Sequence, residues 1–163
     1  MYLNGKRIAF ILVKQSLLLL LLAMNMGGLA YGQTTTSKPG VGDSNARPRV
    51  TEVDLKILKR AREILDSPSK WNRMDNRNCP KTAATFSLYC ALEVATNDLT
   101  GKSDHRGAAL QEVRFVVDEI VTGRNYDHRL MDYNNDRTTA LSDIQEVLDI
   151  AARLIALRLK TEH

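Results

Sequence analysis

The chain of 163 residues carries 23 Lys and Arg against 19 Asp and Glu, a formal net charge of +4 at pH 7. Three of the basic residues, Lys6, Arg7 and Lys14, lie in a segment with the features of an export signal, and without them 20 basic residues face 19 acidic ones, a net charge of +1. A nearly neutral mature chain argues against nucleic-acid binding, which needs a basic patch or stripe.

The first 32 residues show the three parts of an export signal. A basic start is followed by an apolar run from Leu17 to Leu22 and by the small-x-small motif Ala30-Tyr31-Gly32. The apolar stretch of about 15 residues is shorter than the roughly 20 that span a bilayer. Residues 1–32 are therefore predicted to be a cleaved signal peptide. The mature protein is expected in the periplasm or the extracellular space, without stable membrane insertion.

Residues 33–49, QTTTSKPGVGDSNARPR, are rich in Thr, Ser, Gly and Pro. This composition buries too little apolar surface to offset the entropy lost on folding, so a disordered linker is predicted. The remaining residues 50–163 have the length of one domain. Their apolar positions follow helical periods, and no strand-like alternation competes. The expected fold is all-α, a single monomeric four-helix bundle with ordered polar loops.

Four segments carry apolar residues at helical spacing. The first opens with Thr51 and Asp54 in a capping-box arrangement, the second is predicted to begin at Thr82, and the third ends at Gly123, a normal C-terminal glycine. The segments are residues 51–68, 81–98, 104–123 and 141–160. The positions predicted to face the core are Ile57, Leu58, Ala61, Ile64 and Leu65; Phe86, Tyr89, Cys90, Leu92 and Val94; Ala109, Val113, Val116, Val117 and Ile120; and Ile144, Val147, Leu148, Ala151, Leu154 and Ile155.

The two cysteines, Cys79 and Cys90, are predicted to form a disulfide, because thiols outside the cytoplasm tend to be oxidised and an even count permits pairing. On the chain-entropy model, the bond stabilises the fold by about 3 kcal/mol. Inert free thiols are the alternative. A nucleophilic thiol would need a base that no nearby His supplies, and two cysteines alone do not make a metal site.

The stretch MDYNNDRTT, residues 131–139, resembles part of a calcium loop. Asp132, Asn134 and Asp136 follow the D-x-N-x-D spacing, and Asp143 occupies the place of the twelfth-position ligand. Arg137 stands where such a loop needs Gly, and an Asp replaces the bidentate Glu. The favoured interpretation is an ordered, metal-free loop whose Asn and Asp side chains bond to their own backbone or to Arg side chains. Calcium binding is the alternative.

The loop is expected to lead into the final helix, with Thr138, Thr139 or Ser142 as its cap and Asp143 near its positive end. A short helical turn is expected between Tyr126 and Tyr133. No cofactor is expected for this protein.

An enzyme reading would recruit His105, His128, Asp75, Asp132 and Arg77, because imidazole and carboxylate are the usual groups that transfer protons. No motif of a metalloprotease, a serine hydrolase or a phosphate-binding loop joins these residues. His105 is expected in the first turn of a helix, and His128 beside a neighbouring acid. The protein is therefore expected not to be an enzyme, with a hydrolase-like activity as the alternative.

A binding module needs only an exposed patch with aromatic and Arg anchors. Trp71, Arg73, Tyr126, Arg129 and Tyr133 would form one if the two polar loops that carry them meet at one end of the bundle. The competing interpretation is that Trp71 and Tyr133 fill the core. A noncatalytic structural or interaction role, with a protein partner, is the favoured prediction.

Three motifs give the chain a family resemblance: Trp71 followed by Arg73, the Cys-containing helix SLYCALEVA, and the loop and helix YNNDRTTALSDIQEVLDIA. With these motifs it resembles a family of small helical bacterial and phage proteins catalogued as a domain of unknown function, over most of Leu55 to Ile155. The resemblance implies a helical fold and leaves the function open.

Overall fold

The computed structural model describes residues 47–161, which form five helices and a short 3-10 turn and contain no strand. The predicted all-α class is confirmed, with one helix more than the four predicted. The predicted signal peptide, and the predicted linker up to residue 46, lie outside the described residues. The helices are α1 (Glu52–Ile64), α2 (Leu88–Thr100), α3 (Ala108–Ile120), α4 (Arg129–Asn135) and α5 (Leu141–Thr161), with the 3-10 turn at Pro68–Lys70.

The start of α1 confirms the predicted capping arrangement. Asp54 Oδ2 accepts a hydrogen bond from Thr51 N at 2.9 Å, which satisfies a backbone donor that the helix itself leaves free. The other oxygen, Asp54 Oδ1, accepts from Ala109 N at 3.1 Å. One carboxylate therefore both caps α1 and ties it to the first turn of α3.

The predicted start of α2 at Thr82 is wrong, because the helix begins at Leu88. Ser87 caps it, with Oγ accepting from Cys90 N at 3.2 Å. Directly before the cap, Phe86 N donates to Lys70 O at 2.7 Å and Phe86 O accepts from Asn72 N at 2.9 Å. This pairing keeps the chain extended and stops the helix from reaching back to Thr82.

The core lies between α5 and the helices that surround it. α5 packs against α1 and α3, α1 against α2, and the short α4 against α2 and α3. Ile120 was predicted to face inward but is 39% exposed, since α3 ends there. The buried residues of α5 are Ile144, Val147, Leu148, Ala151, Ile155 and Leu159.

Shortening a core side chain tests this packing. Ile155 is fully buried, so Ile155→Val is expected to lower the free energy of unfolding by about 1 kcal/mol, through lost transfer energy and a small cavity. Ile150→Val is the control, because Ile150 lies on the same helix and is only half-buried. Chemical denaturation measures both changes, and equal losses in the two variants would contradict the assigned face of α5.

Residues 47–49, predicted to belong to the disordered linker, are docked on the helices instead. Arg47 Nη1 donates to Glu112 Oε1 at 2.7 Å, and Pro48 O accepts from Arg158 Nη2 at 2.6 Å. The ordered region therefore begins no later than Arg47. Within residues 47–161, no helix combines the length and the apolar character needed to cross a bilayer.

Candidate functional site

Two neighbouring side chains of α4 hold the segment between α1 and α2, residues 66–87, which we call the Trp71 loop. Asn134 is fully buried, and its Oδ1 accepts from Trp71 Nε1 at 2.9 Å and from Leu88 N at 3.0 Å. The side chain of Asn135 makes two hydrogen bonds to the backbone of Asp75, accepting from its N at 2.7 Å and donating to its O at 2.9 Å. The Trp71 loop is thus an ordered part of the structure.

The disulfide between Cys79 and Cys90 is present, as predicted, and fixes the Trp71 loop at a further point. Its Cα atoms are 5.1 Å apart, within the range that such bonds require. Because Cys90 lies in the first turn of α2, it is close to the Trp71 loop that precedes the helix, and the chain does not have to fold back far to bring Cys79 to it.

Arg77, near the tip of the Trp71 loop, has a φ of 61°, in the left-handed region that favours glycine and asparagine. Asn76 and Asn78 flank it, and an asparagine would adopt this backbone conformation at a lower energetic cost than the arginine does. Asp75 Oδ1 accepts from Arg77 N at 2.7 Å and supports this conformation, which costs on the order of 1 kcal/mol or more. The strained backbone places Arg77 in the lining of a cavity.

The stretch MDYNNDRTT is mostly the helix α4 rather than a loop. Asp132 Oδ2 accepts from His128 N at 2.7 Å, and Asp136 accepts from Thr138 N at 2.8 Å, so both bond locally as predicted. The bonds from Thr138 are the largest cause that holds the pKa of Asp136 well below its usual range. Asn134 departs from the prediction, because it bonds to a distant loop.

The three candidate calcium ligands do not converge. On a helix, Asp132 and Asn134 point to different sides, and Asn134 is committed to Trp71 and Leu88. Among residues 47–161, no three His, Cys, Asp or Glu side chains are grouped to hold a metal ion. Asp143 serves the first turn of α5 instead, where its Oδ2 accepts from Ala140 N at 2.9 Å. Thr138, one of the predicted caps, bonds to Asp136 rather than to the helix.

The aromatic residues proposed as partner anchors point into the protein. Tyr133 is 6% exposed, and burial raises its pKa. Trp71 is half-buried against the core, and the guanidinium of Arg73 lies 5.5 Å from the centre of its ring. Arg73 also donates to the carbonyl oxygens of Asp136 and Arg137. The two polar loops therefore meet, as a binding patch requires, but they use their aromatic residues to hold each other.

The other two proposed anchors are also engaged within the chain. Tyr126 is half-buried, and its hydroxyl donates to Asp136 Oδ2 at 2.9 Å, beside an ion pair of Asp136 with Arg124. Arg129 is exposed and pairs with Asp118 at 3.0 Å. Of the five proposed anchors, Arg129 is the one that reaches the cavity described next.

An open cavity of about 460 Å³ lies beside α2, α3 and α4, and we call it the arginine cleft. Tyr89 and Gln111 contribute to its wall, and Asp127 is the one carboxylate among its lining residues. Four arginines and two histidines line it: Arg77, Arg106, Arg114, Arg129, His105 and His128. The arginines come from the Trp71 loop, the loop between α2 and α3, α3 itself and α4.

The positive charges of the arginine cleft are only partly compensated, since Arg129 pairs with Asp118 and the other three form no ion pair within residues 47–161. Burial, and then the charge of Arg129, lower the pKa of Arg114, whose Nη1 donates to the neutral carbonyl of His105 at 2.9 Å. Within the part of the chain that the structure describes, the side chains of Arg77 and Arg106 take part in no hydrogen bond or ion pair. The cleft is therefore suited to an anion.

At one side of the cleft, His105 meets two residues of α2. Its Nδ1 lies 2.7 Å from the hydroxyl of Tyr89 and 2.9 Å from Glu93 Oε1, although this second contact lacks the alignment of a hydrogen bond. The rings of Tyr89 and His105 are stacked, with centroids 6.1 Å apart. Burial, and next the charge of Glu93, raise the pKa of Tyr89.

Of the residues named for an enzyme, the structure brings His105, His128 and Arg77 to one cavity. Asp75 is buried and accepts a hydrogen bond from the backbone N–H of Arg77. Asp132 accepts one from the backbone N–H of His128. His105 was predicted to lie in the first turn of a helix. This prediction is wrong, because His105 precedes α3, which begins at Ala108.

Sequence reasoning missed four residues of this region: Tyr89, Glu93, Arg106 and Arg114. Arg114 stands between apolar residues in EVRFVV, and that flanking was the available signal of a half-buried arginine.

One family model, described as a family of unknown function (DUF6197), matches residues 50–154. No curated protein and no solved structure matches the chain. The matched range contains the Trp71 loop, the disulfide, all residues of the arginine cleft and most of α5. The chain therefore belongs to this family of unknown function, DUF6197.

Proposed function

We propose that the protein is a noncatalytic binding module that receives an anionic group of a partner in the arginine cleft. One observation carries the proposal: four arginines from four separate segments line one cavity that contains a single carboxylate, Asp127. The planar guanidinium group offers several donors that match the oxygens of a carboxylate, sulfate or phosphate. This pattern of charge favours an anion over a cation or an apolar ligand.

The arrangement has an energetic cost in the absence of a ligand. Arg114 is half-buried and close enough to Arg129 for the like charges to disfavour each other. Removing charges from water strengthens their mutual repulsion, because the effective dielectric constant falls. An anion that neutralises them would remove this repulsion as well as form new hydrogen bonds, so both effects favour binding.

The scaffold supports the proposal because it presents the arginines in a preformed arrangement. The disulfide and the grip of Asn134 and Asn135 hold the Trp71 loop, and hence Arg77, before any ligand arrives. A site built before binding loses less conformational entropy when the ligand is bound. The cleft is open, which suits an anionic segment of a protein partner that lies across it.

We place this binding outside the cytoplasm. The Cys79–Cys90 disulfide supports that location, because structural disulfides persist in oxidising compartments. The predicted signal peptide and the apolar run within it point to the same compartment.

Sulfate binding measured by isothermal titration calorimetry tests the proposal. Arg114→Gln should weaken the affinity about tenfold, because it removes a half-buried charge from the lining of the cleft. The matched control is Arg153→Gln, which changes an exposed arginine of α5 outside the cleft and should leave the affinity unchanged. Circular dichroism verifies that both variants fold. Absence of sulfate binding, or equal weakening in the two variants, would contradict the proposal.

A further inference from the structure

His105 is held from two sides of the arginine cleft. Tyr89 and Glu93 of α2 lie 2.7 and 2.9 Å from its Nδ1, and Arg114 of α3 donates to its carbonyl oxygen at 2.9 Å. The second ring nitrogen, Nε2, is on the opposite edge of the imidazole. The side chain is 64% exposed and lines the cavity, so the imidazole is accessible from the cleft.

Opposing charges surround this imidazole. Glu93 is 8% exposed, and its Oε1 has no aligned hydrogen-bond donor, so a positive charge on His105 would compensate it. Arg114 is adjacent and opposes that charge. The other titratable and charged groups of the cleft and of the elements around it are Tyr89 on α2, Asp104 and Arg106 in its own loop, Asp75 and Arg77 in the Trp71 loop, Asp127 and His128 before α4, and Arg129 on α4.

An anion in the cleft shifts this balance. It would neutralise the arginines that oppose a proton on His105, while the attraction of Glu93 remains. The protonated ring has a donor on both nitrogens, so it would offer the anion a charged N–H at Nε2. Each of the two, anion and proton, then makes the other bind more tightly, and this effect is reciprocal.

We propose that Glu93 is a positioning residue that orients His105, and that anion binding in the arginine cleft is consequently coupled to protonation of His105. The inference rests on the proposed binding of an anion. Glu93 acts through the imidazole and is not itself among the lining residues. The module would bind its anionic partner more tightly in an acidic medium than in a neutral one.

Sulfate is a suitable probe because its own charge does not change over the range in which histidine titrates. Its dissociation constant is measured by calorimetry at about pH 5.5 and about pH 8, on either side of that range. We expect binding at the lower pH to be on the order of tenfold tighter, a typical strength of coupling between two sites. Calorimetry in two buffers of different ionisation enthalpy should also show proton uptake.

His105→Gln should remove most of this pH dependence and leave the weaker binding due to the arginines. His128→Gln is the control, since His128 lines the same cavity but forms no ion pair with a carboxylate among residues 47–161, and it should keep the dependence. If the pH dependence persists in His105→Gln, or disappears in His128→Gln, the assignment to His105 is wrong.

Glu93→Gln preserves the size of the side chain and should reduce the ratio of affinities between the two pH values. A purely structural role would weaken binding equally at both. Tyr89→Phe is the second variant should Glu93→Gln fail to fold, and it should also reduce the ratio, because the hydroxyl at 2.7 Å is lost. An unchanged ratio in the variant that folds overturns the role assigned to that contact.

The outcomes separate the two proposals. Sulfate binding that depends on Arg114 but does not change with pH overturns proton coupling and leaves anion binding in place. Absence of sulfate binding at both pH values overturns both.

Discussion

Arg158→Met is expected to lower the free energy of unfolding by about 3 kcal/mol, because it leaves a buried carboxylate with one partner fewer. Glu112 is 1% exposed, and its two oxygens accept from Arg47 Nη1 at 2.7 Å and from Arg158 Nη1 at 3.1 Å. The substitution also removes the bond from Arg158 to Pro48 O, which secures the start of the ordered chain. Chemical denaturation measures the loss.

Arg153→Met is the matched control, since Arg153 lies on the same helix and is exposed. Its effect should stay within about 0.5 kcal/mol, as is usual for surface positions. The double variant Glu112→Leu with Arg158→Met should be more stable than Arg158→Met alone, because the buried carboxylate that lost a partner is then removed. Equal losses in Arg158→Met and Arg153→Met would contradict the prediction. They would show that the bonds of Arg158 to Glu112 and Pro48 add no stability beyond that of an exposed arginine.

Asn134→Ala is expected to cost about 3 kcal/mol, because it leaves buried donors and acceptors without partners. The N–H groups of Trp71 and Leu88 lose their acceptor, and the carbonyl of Asn72 loses a donor. Trp71 is the one tryptophan of the chain, so its fluorescence reports directly on release of the Trp71 loop. We expect a red shift of the emission at denaturant concentrations below those of global unfolding.

Asn97→Ala provides the comparison for Asn134→Ala. Asn97 is also helical and only half-buried, so its loss should be near zero, or slightly stabilising through the higher helix propensity of Ala. If the two alanine variants were equally stable and Trp71 fluorescence were unchanged, Asn134 would not hold the Trp71 loop.

Asn134→Asp adds a test with a defined pH dependence. It places a carboxyl group without solvent, next to the carbonyl of Asn72 and Oδ1 of Asn135, which raises its folded pKa above the ordinary value of about 3.9. A group with a raised pKa binds protons preferentially in the folded state. The variant should therefore be least stable at neutral pH, and should regain stability as the pH falls through the raised pKa.

Helix content and the position of the strongest helices followed from local patterns. α5 begins at Leu141 and α1 at Glu52, close to the ends predicted from apolar spacing and from the Thr51–Asp54 cap. These features depend on residues within a few positions of each other, so the local sequence contains the information. The Cys79–Cys90 bond was also predicted from the sequence, because a predicted export signal implies an oxidising compartment and the count of cysteines is even.

The start of α2 was not determined by local pattern. Thr82 and Ser87 are both acceptable caps, and the pairing of Phe86 with Lys70 and Asn72 decides between them. Asn134 similarly carried an Asx signal that suits a turn, yet its bonds go to Trp71 and Leu88. In both cases, contacts between distant segments outweigh a preference that nearby residues leave undecided.

The sequence by itself therefore determined the helical class, the stripes that form the core and the pairing of the cysteines. The tertiary structure alone assembled the arginine cleft, from Arg77, Arg106, Arg114 and Arg129 on four different segments. The sequence assigned Arg77 and Arg129 to two different candidate sites and did not single out Arg106 or Arg114, since no local pattern indicates that the four converge. The four arginines line one cavity only because the disulfide and Asn134 hold the Trp71 loop against the helices. Packing between segments that are distant in sequence therefore brings these charges together.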